Sequence, residues 1–186
     1  TSCIAAPPKG VAPSPTGGRA GSEMSSTPGS RHATKSWREK LAGYPRLPEV
    51  KPIPPAMQRR HGPGTIVTPS PREVEEAMRR VPEGRLVTVF GIGEQLAREH
   101  GTTIGCTVTT AIFASMAAQA AAEERQAGRG DITPYWRTLK VDGELNLKYP
   151  GGLDELMRRL ESEGHTVVQR GRRYFVEDFE TKIIGS

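Results

Sequence analysis

The chain has 186 residues, and its 26 Lys and Arg against 21 Asp and Glu leave a net charge of +5, a length suited to one domain with tails. Only 35% of the residues are hydrophobic and ten are aromatic, while Gly and Pro together number 37, so any core is small and local. No run approaches the roughly 18 apolar residues of a membrane span, no apolar block resembles a secretion signal, and two Cys with four scattered His supply neither a disulfide framework nor a four-thiolate zinc site. Composition therefore points to a cytoplasmic protein with no membrane partner, no metal and no other cofactor.

Residues 1–34 are almost wholly Thr, Ser, Ala, Pro and Gly and read as a disordered tail, because they carry too little apolar surface to offset the entropy of ordering. Within it lies Cys3, and Met24 followed by Ser25 and Ser26 resembles a start site. Residues 35–69 read as a basic, Pro-rich arm: a turn or two of helix around Lys35–Leu41, then extended chain punctuated by Pro45, Pro48, Pro52, Pro54 and Pro55. From Lys35 through Val81 there are ten Lys or Arg against five Asp or Glu. This surplus equals the net charge of the whole chain. The arm is a solubilising linker or a contact for an anionic partner.

A domain is expected over 70–180. Ser70, Pro71 and Glu73 make a capping box that opens a helix, with Val74, Met78 and Val81 on one face. Arg85–Phe90 reads as a short strand, Ile92–His100 as a second helix closed by Gly101, and Thr107–Gln126 as a long Ala-rich helix stopped at Gly128. Ile132–Lys140 enters a further strand, and Val141-Asp142-Gly143 is a turn. Leu153–Glu163 is amphipathic, with Leu153, Leu156, Met157 and Leu160 in one stripe. Thr166–Gln169 and Arg172–Val176 form a hairpin about Arg170-Gly171, leaving 181–186 as a tail. The fold class is α+β, mainly helical: a winged helix-turn-helix with a C-terminal β-hairpin wing.

Taken together, Val81-Pro82-Glu83-Gly84-Arg85, the helix ending Gln95-Leu96-Ala97, Pro134-Tyr135-Trp136-Arg137, Gly151-Gly152 and Glu161-Ser162-Glu163-Gly164-His165 follow one order and spacing. Over Pro71–His165 the chain resembles the DNA-binding domain of methylguanine-DNA methyltransferases and the related alkyltransferase-like proteins. In the methyltransferases the Pro-x-x-Arg segment carries a nucleophilic cysteine and then a histidine; here those positions are Tyr135 and Trp136. Glu163 matches the family carboxylate without a thiol–histidine pair to serve, and is expected to make a helix-end bond or to stand as a surface charge. The resemblance thus implies a non-enzymatic, alkyltransferase-like protein that binds double-stranded DNA, alkylated or damaged duplex included, as in DNA repair. Such proteins flip the lesion base into a pocket.

The resemblance also implies DNA-contacting residues. Phe90 takes the place of the flipping tyrosine, without its hydroxyl. No Arg lies between Arg98 and Arg125 to fill the base stack, and Thr107, Thr109 and Thr110 occupy that region, as phosphate ligands or as capping residues. Tyr135 and Trp136 line a remnant pocket or belong to the core. Arg137 and the wing residues Arg170, Arg172 and Arg173 would hold phosphates, as would amides near Gly101 and Gly105. Two rival functions remain. One is an alkyltransferase with a displaced nucleophile, Cys106, whose other reading is a buried inert thiol. The other is a protein-interaction module that docks through the arm or the small residues of the Ala-rich helix. His61, His100 and His165 are expected at the surface or as caps.

Overall fold

The computed structural model describes residues 35–184. The expected tail over 1–34, with Cys3 and Met24, lies outside the described residues, as do the last two positions of the 181–186 tail. The elements in chain order are α1 (Trp37–Leu41), β1 (Glu49–Pro52), α2 (Pro55–His61), β2 (Thr65–Thr68), α3 (Pro71–Arg79), β3 (Val87–Thr88) and α4 (Val89–Glu99). They continue with β4 (Ile104–Gly105), α5 (Thr107–Gln126), a single 3-10 turn at Tyr135–Arg137, β5 (Thr138–Leu139), α6 (Gly152–Ser162), β6 (Val167–Arg170), β7 (Arg173–Val176) and α7 (Phe179–Lys182). The class is α+β and mainly helical, with α1 to α6 followed by the β6–β7 hairpin and the single-turn helix α7.

Local chemistry accounts for the boundaries. Ser36 with Glu39, and Ser70 with Glu73, form reciprocal capping boxes that start α1 and α3. The strand expected over Arg85–Phe90 is shorter than its β-branched run suggests. The Thr88 hydroxyl accepts the Gly91 amide at 2.9 Å, capping α4 and drawing Val89 and Phe90 into the helix. In the hairpin β6 pairs antiparallel with β7, Val168 opposite Phe175, and Gly171 takes the left-handed conformation at the turn (φ +64°).

The segment expected as an extended arm is built into the domain. β1 pairs antiparallel with β2, and β2 pairs parallel with β4, so residues 49–68 supply two strands of a three-stranded sheet. Ile53, Ile66 and Val67 are buried, which is the apolar gain that offsets ordering a proline-rich stretch. Charge holds the arm as well. Arg38 of α1 donates to both oxygens of Glu75 (2.5 and 2.7 Å) and to Glu124 (2.6 Å), and the Thr133 hydroxyl donates to Glu75 at 2.8 Å. α1 is thereby tied to α3, α5 and the loop beyond. The expected boundary at 180 also moves: Leu86 N donates to Lys182 O and Ile184 N to Leu86 O, both at 2.9 Å.

α5 is the central helix, packed against α1, α3 and α4. Phe113, Ala114, Ala117, Ala118 and Ala121 face a core completed by Val74, Met78, Ile92, Leu96, Leu156 and Leu160. Among the described residues no helix is long and apolar enough to cross a membrane.

Candidate nucleic-acid interface

The approach to α5 is set by glycine. A Cβ on Gly105 would stand 2.1 Å from the Gly93 carbonyl oxygen, so glycine alone lets the turn before α5 lie this close to α4. Several amides of that turn are committed: Gly101 N donates to Arg98 O (3.2 Å), Thr103 N to Thr65 O (3.0 Å) and Cys106 N to Val67 O (2.9 Å). The Gly101, Thr103 and Cys106 amides are therefore not open phosphate donors. Open donors lie one step later, because no side chain caps α5 and its cap position is Cys106.

The three threonines separate. Thr110 is buried and its hydroxyl donates to Cys106 O at 2.9 Å, so it bonds its own helix and faces the core. The Thr109 hydroxyl meets Cys106 Sγ at 3.2 Å. Thr107 lines a cavity of about 460 Å³ bounded also by Met57, His61, Phe90, Arg98 and Val108. A second cavity of about 880 Å³ opens one turn further along, against Val89, Ile112, Met116, Lys140, Leu147 and Lys148. Val108 and Ile112 are 71% and 52% exposed, and Phe90 43%. Sequence reading missed Val108 and Ile112. Their signal was an i, i+4 pair of β-branched residues on the opposite side of an Ala-rich helix from Phe113 and Ala117.

Tyr135 and Trp136 lie in the core. The Tyr135 hydroxyl donates to Pro150 O at 3.2 Å, its ring packs edge-on against Trp136 and Tyr149, and burial pushes its ionisation up. Trp136 Nε1 donates to Glu163 at 2.6 Å. Neither ring lines the two cavities beside the start of α5.

Arg137 is likewise held inside the fold. Its guanidinium donates to both oxygens of Glu163 at 2.8 Å and to Val81 O at 2.8 Å. Glu163 accepts the Gly84 amide as well, at 3.3 Å. It is thus the hub that joins the Pro-x-x-Arg turn to the end of α6 and the turn before β3, rather than a surface charge. Burial raises its carboxyl, but the Arg137 and Trp136 hydrogen bonds outweigh this and hold it below the ordinary carboxylate range.

On the wing, Arg173 pairs with Asp142 at 2.6 Å and with Glu144, which also takes Lys140 at 2.6 Å. Arg170 and Arg172 are exposed and form no ion pair among the described residues, Arg170 lying over the Phe175 ring at 5.2 Å. His61, Arg98 and Lys148, which the resemblance did not pick out, stand on the cavity walls. His100 Nε2 pairs with Glu73 Oε1 at 2.7 Å. His165, expected at the surface or as a cap, is buried and neither ring nitrogen has a partner. Its proton affinity is lowered, first by burial and then by Lys182. Cys106 is half-buried, and the hydrogen-bond partner of its sulfur is a hydroxyl, not an imidazole. Among the described residues no group of three His, Cys, Asp or Glu is placed to hold a metal.

No protein-family model matches the chain, and no curated protein matches it in sequence. A solved structure is similar. It is the crystal structure of S. pombe Atl1 in complex with damaged DNA containing O6-carboxymethylguanine, 16% identical, with a TM-score of 0.44 over 62% of this chain and 94% of that one.

Proposed function

We propose that the chain is a non-enzymatic module of the alkyltransferase-like type that binds double-stranded DNA, alkylated duplex included, through the first two turns of α5. One observation carries this reading: Val108 and Ile112 are held outward on a helix whose opposite side is the core, at the helix the family resemblance assigns to DNA. An uncapped helix N-terminus favours phosphate there. Phe90 and Thr107 border the entering strand, and Arg170 and Arg172 hold phosphates from the wing. The 880 Å³ cavity beside Ile112 receives an extruded base, whose unstacking costs a few kcal/mol. Arg137 and Arg173, spent on carboxylates, act as struts. With Tyr135 and Trp136 at the cysteine and histidine positions, binding is uncoupled from alkyl transfer. A DNA-associated, cytoplasmic location follows from this reading.

Fluorescence anisotropy with matched duplexes, one carrying an alkylguanine, tests it. Binding is expected to weaken with salt by a log-log slope of about 0.9 per neutralised phosphate, with the alkylated duplex bound more tightly. No duplex binding at low salt overturns the proposal, and equal affinities reduce it to general DNA association. Intact mass after incubation with alkylated DNA is expected to be unchanged; a mass gain would restore the displaced-nucleophile enzyme at Cys106.

A second reading, a protein-docking face, is favoured by the absence of any Lys or Arg on α5 before Arg125. Protein binding at Val108 and Ile112 without DNA affinity, read by size-exclusion mass measurement beside the titration, would select it.

A further inference from the structure

α5 carries a second, chemically different neighbourhood at its other end, roughly 27 Å from Val108 at 1.5 Å per residue. There a cleft of about 450 Å³ is lined by Arg79, Arg125, Arg129, Arg159 and Trp136, with Asp131 at its mouth. Arg137 lines it too, but is matched by Glu163. Arg38 and Glu75 likewise cancel across α1 and α3.

What remains is unbalanced. Arg125, Arg158 and Arg159 all converge on one carboxylate, Glu155. Arg79 stands 3.7 Å from both Glu124 and Asp131 and 3.5 Å from Glu75, which Arg38 holds more closely, and Arg129 stands 3.5 Å from Glu124. Arg158 stands outside the cleft, so the four lining guanidiniums Arg79, Arg125, Arg129 and Arg159 face Glu124, Asp131 and Glu155, a surplus of one positive charge. Arg79 is only 33% exposed and its guanidinium donates no hydrogen bond among the described residues, its carboxylate neighbours standing at 3.5 Å or beyond. A guanidinium this covered ordinarily has its N–H groups satisfied. Arg159 lies over the Trp136 ring at 4.1 Å, which fixes one wall of the cleft.

We infer that this cleft is a binding site for a small dianion of the phosphomonoester class, with Arg79 and Arg129 as its donors and Arg125 and Arg159 as its charged wall. The surplus positive charge favours an anion, and planar guanidiniums match the paired oxygens of a phosphate. The volume lies within the range of small-molecule sites and leaves room for a body attached to the phosphate. The site is independent of the DNA reading, since it shares no lining residue with either cavity beside the start of α5.

Isothermal titration of the full chain at low salt with inorganic phosphate, AMP and adenosine tests this. Phosphate and AMP are expected to bind saturably at millimolar concentration or below, and adenosine not at all. Arg129→Ala, at a position too exposed to unfold the protein, and Arg79→Ala are each expected to weaken AMP by about tenfold. Arg79→Lys, which keeps the charge but loses the fork, should weaken it less. Arg170→Ala on the wing should leave it unchanged. No saturable phosphate binding, or equal losses in Arg129→Ala and Arg170→Ala, overturns the inference. So does competition by duplex DNA for the same phosphate, which would merge the cleft with the DNA face.

Discussion

At its first two turns α5 exposes Val108 and Ile112 to solvent and lacks a side-chain cap; at its last turns Glu124 and Arg125 sit in a lattice of ion pairs that reaches α1, α3 and α6. One helix therefore joins an apolar, uncapped surface to a charged one, where some arginines are spent on carboxylates and others are left in excess. The difference separates two meanings of a basic composition. Arg38, Arg137 and Arg173 contribute to the net charge of +5 but hold the protein together, whereas Arg170, Arg172 and Arg98 have no ion pair among the described residues and remain available to a partner.

The contrast can be broken first at Glu163. Glu163→Ala leaves the Arg137 guanidinium buried without its carboxylate and is expected to cost about 3–5 kcal/mol, seen as a lower denaturant midpoint. A loss below 1 kcal/mol would mean that Arg137 swings out and is free to hold phosphate after all. Next in size, Gly105→Ala forces the turn before α5 away from α4. A loss of about 1–3 kcal/mol is expected in the same measurement, and a neutral result would show that α5 does not need its close seat.

Val108→Asp sharpens the contrast from the other end. Stability should move by no more than about 0.5 kcal/mol, while duplex affinity falls by about tenfold, or 1.4 kcal/mol, in the anisotropy titration. Unchanged affinity would remove α5 from the interface. Arg170→Ala and Arg172→Ala should each lower the salt slope by about 0.9 without changing the ratio of affinities for alkylated and plain duplex.

The smallest expected effects concern pH. His165 binds a proton more weakly when folded than its ordinary value of 6.5, so the unfolded chain takes up the proton first. Stability from this residue is full above pH 6.5 and declines as pH falls below it, until the folded ring also titrates. His165→Phe should flatten that part of the stability profile. At Glu155 burial raises the carboxyl, but Arg158, Arg159 and Arg125 prevail and bring it down to about 2. Its contribution is full above about 4.5 and is lost as pH drops through 2. Glu155→Gln should therefore shift acid unfolding while leaving the neutral-to-mildly-acid decline in place.

The elements written into local sequence were legible. The Ser70–Glu73 box, the stops at Gly128 and Gly164 and the Arg170-Gly171 turn depend on neighbours a few residues away, and all lie where the chain chemistry puts them. The β1–β2–β4 sheet was not legible. Its strands are two to four residues long, β1 and β2 lie among prolines, and the pairing spans as many as 38 positions. The candidate site shows the same division. Which arginines are free depends on partners distant in the chain, such as Glu163, 26 residues from Arg137, and no composition reveals that pairing. The exposure of Val108 and Ile112 was written in the helical period, but an Ala-rich helix with buried character drew attention to its other side.

The bonds between Leu86 and residues 182 and 184 have a temporal consequence. Leu86 is wholly buried in the centre of the domain, yet the backbone groups that complete its pairing emerge from the ribosome nearly a hundred residues later. At roughly 5–20 residues per second that interval is on the order of ten seconds. The nascent chain carries its core helices through this wait with one seam unclosed, so the final closure of the domain is set by the arrival of its last strand-like residues and not by the folding of the helices themselves.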